Sequence, residues 1–214
     1  MQSKNYSIIY EELCSTFNNI YVSSKVISPE KTSQLIDIYL QINGYFTVLN
    51  CPLIEVADIN INRCINYLDI LAVKFVRQSE VHAFSRALYN AKRAPIAYIK
   101  DSLLHNPSHS NEIIIAELLQ SGDSNKSMIL DHKTLVAALD RFGCCKMKEL
   151  HDIAHSLLIS GSAETSNGFI IRMAYFSNSC SHNLKEWIFI DLEHVRLFVK
   201  DYCEYYKINQ VQAG

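Results

Sequence analysis

The chain predicts an α/β domain, with α+β as the alternative, and three observations carry that expectation. Short β-branched and aromatic runs alternate with segments whose apolar residues recur at spacings of three and four, the two periodicities of strand and amphipathic helix. With 214 residues, 49% of them hydrophobic, the chain can bury one full core. Two of the strand-like runs, residues 67–75 and 113–119, each hold a single carboxylate, Asp69 and Glu117, among apolar neighbours. The expected architecture is a mixed central β-sheet flanked by helices. An N-terminal helical extension over 1–28 precedes one globular unit over 29–214.

Tyr6, Ile9, Tyr10, Leu13 and Phe17 are spaced as the apolar face of a first helix, residues 6–18. Ser28-Pro29-Glu30 is a helix start with proline just inside, and Leu35, Ile36, Ile38, Tyr39 and Ile42 continue that helix to Asn43-Gly44. Tyr45 to Leu49 has strand composition, and the Asp69 strand follows. A polar stretch with helical spacing runs from about Ser79 to Ala91. The Glu117 strand ends in the turn-rich cluster Ser121-Gly122-Asp123-Ser124-Asn125. Helices are expected over 132–142, stopped by Gly143, and over 146–159, stopped by Ser160-Gly161. Residues 169–176 and 186–190 read as a strand pair. Asp191 caps a last helix lined by Leu192, Val195, Phe198, Val199 and Tyr202.

A net charge of −2 supplies no global field that would draw the chain to nucleic acid or an anionic membrane. Seven cysteines, at 14, 51, 64, 144, 145, 180 and 203, have neither disulfide-framework nor paired-knuckle spacing, so reduced thiols are expected. No leader-type apolar core follows Met1 and no run of ~18 apolar residues occurs, so a soluble cytoplasmic protein without membrane contact is expected. Gly-rich phosphate loops and a GxSxG elbow are missing, which removes nucleotide hydrolysis and that hydrolase class.

A carboxylate inside a buried strand is unfavourable unless a cation, a proton or several donors compensate it. Alternation puts Asp69 on one face with Tyr67, Leu71 and Val73, and Glu117 with Ile115 and Leu119. If the strands are neighbours, the two acids converge as a minimal Mg²⁺ site, and a lysine two positions after the second acid would complete a phosphodiesterase centre.

Those residues resemble the PD-(D/E)XK nuclease superfamily, and more closely a family of small prokaryotic nuclease-like proteins within it. The resemblance is carried by residues 39–50, by 67–75, by 114–122, and by Ile170–Phe176 with Ile190–Val195, over roughly residues 35–206. It implies a restriction-endonuclease-like core with an extra N-terminal helix. It also places Asp69 and Glu117 on the two acidic positions. The lysine position, however, is Leu119, and the acid that opens the first strand motif is Tyr67. Leucine neither orients water nor neutralises phosphate. Lys74 lies an odd number of residues from Asp69 and belongs to the opposite face, Lys126 is on a turn, and Lys100 has no assigned place.

The expectation is therefore a pseudo-nuclease, not an enzyme, with no catalytic residue and no cofactor, in which Asp69 and Glu117 are vestigial. It would serve as an accessory or scaffold subunit of a multiprotein prokaryotic anti-phage or anti-plasmid complex. The resemblance implies similarity to the small component of Lamassu-type assemblies, with an SMC-like ATPase and a separate nuclease effector as partners and DNA reached through the complex. The alternative is an active Mg²⁺-dependent DNA endonuclease in which Asp69 and Glu117 hold the metal. A third reading, a DNA-binding module that does not cut, is disfavoured by the net charge.

Other groups have plainer readings. His151 and His155, at i and i+4 after Cys144-Cys145, have zinc-compatible spacing without a third or fourth ligand, and histidines flanking the apolar stripe of a helix are the plainer reading. His105 and His109 straddle Pro107 and belong to a loop. Lys92-Arg93 and Lys146-Met147-Lys148 read as solvated surface. Phe198 and Tyr202 read as core, Tyr205 and Tyr206 as near-terminal and exposed, and the first helix as the better partner-binding element.

Overall fold

A computed structural model describes residues 12–20, 28–56, 62–75, 100–106, 110–119, 131–178 and 187–213. The helices are α1 (12–20), α2 (Pro29–Ile42), α3 (His132–Phe142), α4 (Leu150–Ser160) and α5 (Leu192–Ala213). The strands are β1 (Phe46–Val56), β2 (Asn62–Lys74), β3 (Asn111–Leu119), β4 (Ser162–Glu164), β5 (Phe169–Ser177) and β6 (Ile188–Asp191). Among the described residues five helices flank a six-stranded mixed sheet, so the α/β expectation holds. The expected helix over 79–91 lies outside the described residues.

Local chemistry sets the boundaries. The Ser28 hydroxyl accepts the Lys31 amide and Pro29 opens α2, while Gly44, at φ 88, turns the chain so that the Tyr45 amide bonds to the Leu40 carbonyl at 3.0 Å. Asp131 caps α3 through the Thr134 amide at 2.7 Å, and Gly143, at φ 60, closes it. The helix expected from 146 begins instead as a 3-10 turn, Met147–Glu149, because the Glu149 carboxylate reaches back to the Lys146 amide at 2.7 Å.

β1, β2 and β3 form an antiparallel meander. β5 then lies parallel to β3, and β4 (antiparallel) and β6 (parallel) share the outer edge of β5 at opposite ends. Parallel pairing of β3 and β5 requires a crossover, which α3 and α4 supply. β4 has no pattern of its own. It exists because Thr165 pairs with Phe169 around Gly168 and folds the chain back on β5.

Each face of the sheet carries its own core. On one, Tyr39, Ile36, Leu40, Ile70, Ile114, Phe176 and Val195 pack under α2 and α5, joined by Cys14, Phe17 and Ile20 of α1. On the other, Leu53, Leu68, Ile115, Leu135, Leu139, Leu157 and Met173 pack under α3 and α4. The apolar face of α1 is thus occupied by the core. Among the described residues no helix is long and apolar enough to cross a membrane.

Candidate functional site

Asp69 and Glu117 come together at a fork in the sheet. The β2–β3 ladder runs from Lys74 opposite Glu112 to Ile70 opposite Ala116 and ends there. Asp69 and Glu117 occupy the next position on each strand. Instead of continuing the ladder, the Asp69 carboxylate accepts the Leu118 amide at 2.9 Å, replacing the strand partner which that amide loses as the strands part.

The fork has a cause on its other side. β1 and β2 pair at Leu49–Ile70 and again at Cys51–Leu68, but not at Asn50 and Asp69, and Asn50 adopts a left-handed φ of 51. Across this step both strands change face. Leu49 and Ile70 belong to the α2/α5 core, whereas Cys51, Leu53 and Leu68 belong to the α3/α4 core. The uninterrupted alternation expected from Tyr67 to Val73 is therefore corrected: Tyr67 is 56% exposed while Leu71 is buried. Alternation holds for β3, where Ile115 and Leu119 flank Glu117 in the α3/α4 core.

Burial pushes the Asp69 carboxyl above the ordinary aspartate value, and the bond from Leu118 only partly opposes it. Glu117 is 5% exposed and lies opposite Tyr175 in the β3–β5 ladder. Leu119, at the position where the resemblance calls for lysine, packs its hydrocarbon against the α3/α4 core. Lys74 lies on the opposite face, its Nζ 4.9 Å from the Tyr45 ring centroid, as the spacing predicted. Lys100 is exposed, and Lys126 and His109 lie outside the described residues. Chemically the fork can hold a proton and accept hydrogen bonds. Among the described residues no three His, Cys, Asp or Glu side chains are arranged to hold a metal ion.

A raised folded pKa means that Asp69 contributes most below its unfolded value of 3.8, and that this contribution is lost as pH rises through the folded value. Asp69→Asn, which keeps an oxygen for Leu118, is therefore expected to match or exceed the parent in stability at pH 7. Denaturant titrations at a series of pH values should show that advantage shrinking as pH falls toward 3.8. Asp69→Ala abandons the Leu118 amide and should cost about 1–2 kcal/mol at acid pH, a deficit that shrinks as pH rises through the folded value of Asp69.

Sequence reading missed a second polar cluster, under α2 and α5 at the other end of β3. Glu112, 1% exposed, accepts the Tyr45 hydroxyl at 2.7 Å and pairs with the Arg172 guanidinium, which also donates to the Leu104 carbonyl at 3.1 Å. Nearby, Asp101, 4% exposed, accepts the Tyr39 hydroxyl at 2.8 Å, the Leu103 amide at 2.9 Å and His194 Nε2 at 2.5 Å, while its own amide donates to Asn43. Burial raises the Asp101 carboxyl, but the bonds from Leu103, His194 and Tyr39 together outweigh it and hold the group below the ordinary range. Burial and the adjacent carboxylates push the Tyr39 and Tyr45 phenols far up, so both remain hydrogen-bond donors. The one available signal was parity: Glu112 and Arg172 share a face with Ala116 and Ala174, which are buried on both sides.

The histidine and cysteine groups separate. His151 and His155 are exposed on α4, and the His132 ring stacks on His151 at 5.3 Å. Cys144 and Cys145 are buried, and burial pushes the Cys144 thiol up to about 12.

Comparisons with protein-family models, with curated proteins and with solved structures gave no match.

Proposed function

We propose that this chain is a nuclease-like protein without phosphodiester chemistry of its own, acting in the cytoplasm as a structural subunit of a multiprotein prokaryotic complex directed against phage or plasmid DNA. The observation that carries the non-catalytic part is the state of the fork. Asp69 is spent on the Leu118 amide and its charge is disfavoured by burial, while hydrocarbon fills the position where a lysine would serve the phosphate. The order of helix, three antiparallel strands, crossover helices and a strand parallel to the third supports the nuclease-like reading.

The subunit role and its defence setting rest on the resemblance alone. A small domain kept for its surface and packing, with its acids retained and its cation gone, suits an SMC-like ATPase and a separate nuclease as partners. Affinity purification of the chain at native expression level tests this. The expected result is a stoichiometric complex containing an ATPase and a nuclease, unchanged by Asp69→Asn. A partnerless monomer or homodimer would contradict it.

A further inference from the structure

β1 is an edge strand. Among the described residues it pairs with β2 alone, so one row of its backbone donors and acceptors faces outward. The stretch Phe46–Leu49, between Gly44 and the left-handed Asn50, carries no charge. Phe46 is 68% exposed and Val48 50%. Phe75, 56% exposed, lies beside Phe46 with ring centroids 6.4 Å apart. Soluble proteins usually protect such an edge with lysine, proline or a bulge. Here Asn50 and Pro52 limit the flat edge to four residues but leave those four open.

We propose that this edge pairs with the same edge of a second copy of the chain, β1 to β1 and antiparallel, about a two-fold axis at Thr47. In that register Phe46 stands opposite Val48 of the other copy and Val48 opposite its Phe46. Directly opposed residues share a face, so the two Phe46, two Val48 and two Phe75 side chains form one apolar cluster. The pairing is self-complementary, large against medium on both sides of the axis, and it closes after two copies.

Phe46, Val48 and Phe75 expose on the order of 300 Å² per chain. Two copies bury at most about twice that from these side chains, and four residues of strand backbone on each side add little, so the pair stays below the ~1,200 Å² at which stable interfaces begin. The dimer is therefore weak and reversible.

Sedimentation velocity from micromolar to near-millimolar concentrations tests the proposal, with this inference standing apart from the subunit role above. The expected mass rises from 24.5 kDa toward twice that value. Phe46→Glu and Val48→Lys, both at exposed positions, each restore the monomer, while Ile159→Lys, on an equally exposed apolar residue of α4, leaves the dimer intact. A monomer at every concentration overturns the proposal. A dimer that survives both β1 substitutions, or one that Ile159→Lys also dissolves, overturns it as well. Circular dichroism confirms the fold of each variant, and Val48→Lys decides the matter if Phe46→Glu does not fold.

Discussion

Replacing Arg172 by leucine is expected to destabilise the fold by about 3–5 kcal/mol, the largest effect of any single polar substitution described above. The Glu112 side chain is 2% exposed and that of Arg172 14%, so removing the guanidinium leaves a carboxylate that water cannot reach. The Leu104 carbonyl loses its donor at the same time, and Tyr45 is left donating to an uncompensated charge. For a chain of this size the midpoint of thermal unfolding should fall by about 10 °C or more. The same reasoning predicts a partial rescue. Glu112→Leu and Tyr45→Phe added to Arg172→Leu remove the stranded groups together, and the triple variant should recover most of the loss. A triple variant no more stable than Arg172→Leu would show that shape, not charge, dominates at this position.

Asp101→Ala comes next, with an expected loss of about 3 kcal/mol, because it abandons the buried Tyr39 hydroxyl and the Leu103 amide at once. The pH dependence separates this carboxylate from Asp69. A folded pKa held below the ordinary range means that the contribution of Asp101 is fully present above its unfolded value of 3.8 and is lost as pH falls through the folded value. Asp69 runs the other way, its contribution fading as pH rises. Urea titrations of the two variants should therefore approach the parent from opposite sides as pH falls: the deficit of Asp101→Ala narrows toward acid pH, and so does the advantage of Asp69→Asn. A deficit for Asp101→Ala that grows on acidification would contradict the hydrogen-bond account. Tyr39→Phe isolates one donor and should cost about 1.5–3 kcal/mol, the range for a bond to a charged group.

Much of this molecule was legible as sequence where local chemistry decided the outcome. α2 and α5 begin where Ser28-Pro29 and Asp191 place them and α3 ends where Gly143 stops it, because caps and left-handed glycines act over three or four residues. The hydrocarbon at Leu119 and the misdirected Lys74 followed from strand parity. Parity failed at Asp69, where Asn50 on a neighbouring strand turns left-handed and both strands change face together. That event depends on a residue about twenty positions away, and no window centred on Asp69 contains it. β4 was invisible for a related reason, since three residues of ordinary composition become a strand only because a turn delivers them to β5. The Tyr39–Asp101–His194 and Tyr45–Glu112–Arg172 groups assemble across sequence separations of sixty residues or more. In each, a buried polar residue looks in isolation like a surface one.

The resemblance led to the two acids, and the structure changes what they do. One serves as the acceptor for an orphaned strand amide and the other lies in the core against Tyr175 and Leu119. Asp69 thus has a structural role that does not require a metal.

The most direct test is cleavage itself. Purified chain is incubated with supercoiled plasmid and with linear DNA, in Mg²⁺ and in Mn²⁺, beside Asp69→Asn and Glu117→Gln proteins prepared identically. The account predicts that all three give the same background, with no metal-dependent nicking by the parent. Nicking that requires the metal and disappears in both variants would contradict it and restore Asp69 and Glu117 as the ligands of a working nuclease.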